Sequence, residues 1–262
     1  MRLVTTGIWS GTGSAETGPV MRTLPFILSL TAGSTDMIGF LGLDGLFTAH
    51  ITGNIVVLAA HMVAGDPAIF SYMLSVPVFM LVLLLTRVLA SGLERSGLST
   101  LPPLLLLQLV FLAAFLGLGV TAGPWRNADA LLAIFAGMFG VAAMAVQNAL
   151  VQIALKSSPT TAVMTTNVTH FMLDLAEMLA GDDATKIATA RHRAMHTLPV
   201  IVGFATGCGV GALYEAAAGL SSLALPTCLA LLAFATCLMR RRSVLEIRLV
   251  SFLSCRERRL MP

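Results

Sequence analysis

Charge is what this sequence has least of. Asp, Glu, Lys and Arg make up 11% of its 262 residues, against roughly a quarter in an ordinary soluble domain. That is too little to solvate the surface of a water-soluble fold of this size. With 56% apolar residues and a mean hydropathy of +0.88, the composition specifies an integral membrane protein. Cysteine is also sparse: Cys208, Cys228, Cys237 and Cys255 lack CxxC spacing, and three of them sit inside apolar runs. They read as small packing residues, not as a disulfide or metal framework. Phosphate-cradling and dinucleotide fingerprints are missing, as are a Gly-x-Ser-x-Gly elbow and a His-Glu-x-x-His pair. The 14 methionines are scattered, which argues against a copper path. No cofactor, no metal and no enzymatic activity are therefore expected, and nucleotide-driven work would need a separate partner.

What is present is a series of apolar runs. Residues 1–21 are rich in Gly, Thr and Ser without the continuous apolar stretch of a signal peptide, and are expected to form a flexible leader. A membrane domain then spans 22–240, with apolar runs at Leu24–Leu43, Phe70–Ala90, Leu101–Ala122, Leu131–Leu155, Leu198–Leu213 and Leu223–Met239. About 20 helical residues cover a hydrocarbon core of roughly 30 Å, so the expected fold is an all-α, polytopic helical membrane protein of six to eight membrane segments. The tail, 241–262, follows Arg240 with Arg241, Arg242, Arg248, Arg256, Arg258 and Arg259. Directly after an apolar run, such a cluster points to anionic lipid headgroups on the cytoplasmic face and not to nucleic acid.

One element occurs twice. Thr48-Ala49-His50-Ile51-Thr52-Gly53-Asn54-Ile55 returns 113 residues later as Thr161-Ala162-Val163-Met164-Thr165-Thr166-Asn167-Val168, with Thr, Ala, Thr and Asn at the same spacing. Asp36 stands 18 residues before Asn54, and Asn148, beside Gln147, stands 19 before Asn167. Gly65-Asp66 is echoed by Gly181-Asp182 and Pro77 by Pro199. The expectation is an internal duplication, with a first half at about 22–122 and a second at about 128–240. Both signature stretches are short for a span. If they cross, the halves are parallel repeats of eight segments. If they enter and leave on one face, six segments cross and the halves are inverted, which the placement of basic residues mildly favours.

Polar groups inside apolar sequence cost free energy unless they find partners or water, so they are functional candidates. Thr52, Asn54, Thr165 and Asn167, with Gln147 and Asn148, are candidates to bind a substrate. Asp36, His50, His170 and Asp174 are candidates for proton coupling, because carboxylates and imidazoles can change charge near neutral pH. Asn167, His170, Asp174 and Glu177 share one helical face, as do His50, Asn54 and His61. The competing reading is that these groups only hold helices together. The spacing His170-x3-Asp174-x2-Glu177 can also place metal ligands one turn apart.

The Asp-bearing first helix, the Thr52-Gly53-Asn54 element, the Gln147-Asn148 pair and the segment layout resemble the YoaK-like family of bacterial membrane proteins, a family of unknown function. The resemblance covers roughly Leu24 to Arg240, with Thr166 where a glycine would repeat the first motif. It implies a multi-pass protein of the bacterial inner membrane and supplies no substrate. The functional expectation is a secondary permease or exporter of a small molecule or ion, proton-coupled, with both termini cytoplasmic. A non-transporting scaffold or accessory subunit is the alternative, and an intramembrane metal-dependent enzyme ranks third. Expected partners are the bilayer, the substrate and, through the aliphatic Leu104–Val120 face, a further copy of the chain.

Overall fold

A computed structural model gives the fold for residues 19–65, 70–121 and 131–240. The expected leader as far as residue 18, the Asp66-Pro67 turn, the loop with Trp125 and Arg126, and the basic tail from residue 241 lie outside the described residues. Among the described residues the regular structure is helical: α1 Pro19–Gly42, α2 Ile51–Ala64, α3 Phe70–Arg95, α4 Leu101–Thr121, α5 Leu131–Ala154, α6 Met164–Ala180 and α7 Ala184–Ala218. A 3-10 turn at Gly219–Leu223 leads into a last helix, α8, at 224–240. The apolar runs became helices nearly end to end. Pro102 falls in the first turn of α4, where a missing N–H costs nothing, and Gly65 closes α2 in the left-handed conformation that glycine adopts freely.

The charged stretch Asp183–His196 behaves differently from a connector. Asp183 caps α7 by accepting the Thr185 N–H at 2.8 Å, a bond that also holds its carboxyl below the usual carboxylate range. The charged residues then continue as the first third of a 35-residue helix. Charge does not interrupt a helix when a buried stripe persists, and Ala190, Ala194 and Thr197 supply that stripe.

Contacts fix the direction of each helix. In α7, Gly203, Gly207 and Gly211 lie against Phe26, Leu30 and Ser34 of α1 in rising order, so α1 and α7 are parallel. Gln147 of α5 bonds the Leu28 carbonyl while Gly137 meets Leu43 and Leu46, so α5 runs antiparallel to α1. Gln108 with Gln147, and Phe115 with Gly140, make α4 antiparallel to α5. The Tyr72 hydroxyl, at the start of α3, donates to the Asp44 carbonyl just past the end of α1.

One end of the bundle therefore gathers Ile38, Leu43, Leu46, Tyr72, Phe115, Ala133, Ala136, Leu220 and Leu223 in a single apolar cluster. The opposite end gathers Leu24, Ala90, Leu104, Leu105, Leu150, Leu155 and Ala233. Helix α2 begins beside Asp36 and ends with His61 stacked on Tyr72, so it returns toward the end where α1 stopped. On the outside, Met80, Leu81, Leu84, Leu85 and Val88 of α3 are exposed, an apolar band that water would not tolerate. The aliphatic α4 does both jobs: Leu104, Leu105, Gln108, Leu112 and Phe115 are buried while Leu106 and Val110 face outward.

The α1–α7 seam is the tightest approach. A Cβ on Gly207 would lie 2.4 Å from the Leu30 carbonyl oxygen, and one on Gly33 would lie 2.3 Å from that of Phe204. Backbones this close exclude any larger residue. A Cβ on Gly209, on the same helix, meets nothing within 4 Å. Gly207→Ala should thus lose about 1–3 kcal/mol through overpacking, read as a lower unfolding midpoint in detergent, while Gly209→Ala should match or slightly exceed the parent. Equal stability of the two variants would contradict the parallel seam.

Candidate functional site

The two signature stretches fold alike. Each breaks the chain between helices, and the residue ahead of the new helix has nearly the same backbone: His50 at φ −97°, ψ 76° and Val163 at φ −103°, ψ 86°. Asn54 reaches back seven residues, its Nδ2 donating to the Phe47 carbonyl at 2.7 Å and its Oδ1 accepting the Phe47 N–H at 2.9 Å. Asn167 also reaches back seven, donating to the Thr160 carbonyl at 2.6 Å and accepting the Thr160 hydroxyl at 3.2 Å. The side-chain amide replaces bonds that an irregular backbone cannot make for itself in apolar surroundings.

A polar side chain on the preceding helix holds each loop from the other side. In the first copy this is Asp36, 4% exposed, whose carboxylate accepts the Ala49 N–H at 2.7 Å, the Thr48 hydroxyl at 3.2 Å and His50 Nδ1. In the second copy Gln147 donates to the Thr161 hydroxyl at 2.9 Å and to the Leu28 carbonyl at 2.8 Å, and accepts from Gln108 at 2.7 Å. The anchored hydroxyls are the same motif position, since Thr161 is the counterpart of Thr48. One anchor carries charge and a titratable partner, and the other is neutral. His50 is the exposed member of its pair, its side chain 38% accessible, and its ring also meets Phe204 of α7 edge-on at 5.7 Å.

Beyond the second loop lies a cavity of about 850 Å³ between Pro25 of α1, the Ser157–Thr160 loop, α6 and α7. Its polar wall comprises Asn167, His170, Asp174, His192, Arg193 and His196. Asp174 is buried and takes both Arg193 Nε at 2.9 Å and Nη2 at 2.5 Å on one oxygen, leaving the guanidinium side chain 58% accessible. Around the first loop, rings pack at the matching positions. Phe47, at the position of Thr160, contacts Phe40 at 4.6 Å and His50 at 5.7 Å, and His61, at the position of Asp174, stacks on Tyr72 at 5.0 Å. Helix α7 has 35 residues against 26 in α3.

The residues expected to form one polar path occupy separate places. Asp36, His50 and Asn54 cluster at the first loop, while Asn167, His170 and Asp174 share the cavity. Pro25, in the cavity wall, and Asp36 are eleven residues apart on α1, about 16 Å along its axis. Gln147 lies between them, its amide committed to the second loop. Asn148 donates to the Met144 carbonyl of its own helix at 3.0 Å, and Thr52 and Thr165 are exposed away from both clusters. Arg193, His192, His196 and the Ser157–Pro159 loop belong to the cavity but were not singled out by the sequence. The His192-x3-His196 spacing was the available signal. Among the described residues no group of three or more His, Cys, Asp or Glu side chains is placed to hold a metal, the His170–Asp174–Glu177 spacing included.

Five helical stretches long and apolar enough to cross a membrane, around a buried polar centre, define a polytopic helical membrane protein. The chain belongs to the DUF1275 family, described as a protein of unknown function, whose profile matches residues 24–236. No curated protein and no solved structure matches it.

Because each amide serves its own loop, Asn54→Ala and Asn167→Ala should each orphan backbone groups at a cost on the order of 1–3 kcal/mol. Lower unfolding midpoints for both variants are expected. Wild-type stability in either would show that the loop does not depend on its asparagine.

Proposed function

We propose that the chain is a secondary permease or exporter of a small molecule or ion, built from two inverted halves with six crossings, α1, α3, α4, α5, α7 and α8. In this reading α2 and α6 enter and leave on one face each. The antiparallel packing of α1 against α5, the first helix of each half, supports the inversion. So does the exchange by which α1 packs on α7 while α5 packs on α3. Transporters built this way carry their sites between discontinuous helices. The likeness to the YoaK-like family agrees with a bacterial inner-membrane setting and with both termini on the cytoplasmic side, the side to which the cavity would then open.

The observation that carries the proposal is the contrast between matched ends. One loop faces a polar cavity of about 850 Å³, while the rings of Phe40, Phe47, His61 and Tyr72 pack at its counterpart at the other end. A carrier caught open to one side has this asymmetry. Substrate would enter past His192 and His196 and meet Arg193, His170 and Asn167. The Asp36–His50 pair supplies a titratable group beside the opposite loop, where proton uptake would release the loop from its anchor. A scaffold reading is favoured by one observation only, the use of Asn54 and Asn167 within their own loops.

Screening small organic ions for thermal stabilisation of the purified chain identifies cavity ligands by mass action. Uptake of those ligands into proteoliposomes, with and without a pH gradient, then tests transport. We expect saturable flux that falls about tenfold or more, 1.4 kcal/mol per decade, in His170→Gln, an exposed cavity residue, at an unchanged unfolding midpoint. Ligands that bind the cavity but cross under neither condition would contradict transport and support the scaffold.

A further inference from the structure

We propose that His192 and His196 form a two-imidazole site for a divalent transition-metal ion at the mouth of the cavity. The residues stand one helical turn apart on α7, so their side chains rise from the same face. Both are exposed, and both line the cavity. Their Nε2 atoms are 3.2 Å apart, with ring centroids at 4.5 Å and planes inclined by 56°. The two nitrogens that would ligate a metal therefore already converge.

The separation matches a chelate. With metal–nitrogen bonds of about 2.1 Å, two nitrogens 3.2 Å apart subtend an angle of about 100° at the ion, within the range of tetrahedral and octahedral geometry. A hydrogen bond between the rings accounts for the same distance only if one Nε2 carries a proton and the other does not. Chelation needs both Nε2 atoms bare, a tautomer each neutral imidazole can adopt. Helix α7 is rigid here, because Ala190, Ala194 and Thr197 on its other face are buried, so little order is lost on binding.

Imidazole selects borderline ions such as Ni²⁺, Cu²⁺ and Zn²⁺ over Mg²⁺ and Ca²⁺, which prefer oxygen. Two protein ligands leave the remaining positions to water or to an oxygen ligand within the cavity. The site does not require the chain to be a transporter: a metal held here is measurable on purified protein whether or not anything crosses the membrane.

The test uses the full chain, purified with a histidine-free affinity tag, stripped with chelator and titrated with ZnCl2, followed by Cu²⁺ electron paramagnetic resonance. One ion per chain is expected, with Cu²⁺ showing coupling to imidazole nitrogen. His192→Gln and His196→Gln should each weaken Zn²⁺ binding by at least the ~10–100-fold that loss of even an outer-shell partner costs. His192→Gln should keep the metal-free unfolding midpoint, since this side chain is exposed. His61→Gln, at the other end, should bind as the parent does. Absence of stoichiometric Zn²⁺ binding in the parent would overturn the site, as would binding and Cu²⁺ spectra unchanged in the His192→Gln/His196→Gln double variant.

Discussion

The structure depends on satisfying irregular backbone inside an apolar bundle. A helix meets its own hydrogen-bonding needs, but the chain at Leu43–His50 and at Leu155–Val163 leaves the helical path among buried side chains. Unpaired amides there would cost several kcal/mol each if no water reached them. In each loop an asparagine seven residues downstream bonds loop backbone; a polar side chain on the preceding helix adds a second hold, Asp36 on the Ala49 N–H and Gln147 on the Thr161 hydroxyl. The polar residues that stand out in an otherwise apolar sequence are first of all the means by which these two breaks can exist.

The second constraint is close approach. Gly203, Gly207 and Gly211 of α7, with Gly33 of α1, remove the side chains that would separate the two backbones, as small residues do where helices pack within lipid. Gly137 and Gly140 perform the same service on α5, admitting Leu46, Thr48 and Phe115. The first loop is thus seated between α1 and α5, with Asp36 beneath it. Helix α7, which carries part of the cavity wall, lies against the same stretch of α1. The two polar centres are separate in space but share one seam.

The signature stretches were legible in the sequence because their asparagines, and Thr48 and Thr161, hold the loops in similar ways: each asparagine reaches back seven residues, and each threonine meets a polar side chain on the preceding helix. The all-helical membrane fold followed from the scarcity of charge and the length of the apolar runs. The cavity was not legible. Its wall is made by residues 157–160 and by the charged start of α7, and a charged stretch after Gly181-Asp182 looks like a solvated connector until Asp174, 19 residues before Arg193, is seen to pair with it. The glycine seam was present as a four-residue spacing in Gly203, Gly207 and Gly211, yet spacing alone names no partner. The role of Asp36 as a loop anchor was equally hidden, because an intramembrane carboxylate reads as a coupling group before its three donors are known.

The inverted arrangement is tested most directly by cysteine accessibility in intact cells, with single probes at Gly65, Arg95, Thr121 and Lys156 in a cysteine-free background. Six crossings with inverted halves require Gly65 and Thr121 to react with an impermeant reagent from outside, and Arg95 and Lys156 to react only after permeabilisation. With the amino-terminal end of α1 established as internal, external labelling at Arg95 and Lys156 with protection of Gly65 and Thr121 would show that α2 crosses the membrane and would contradict the inverted fold.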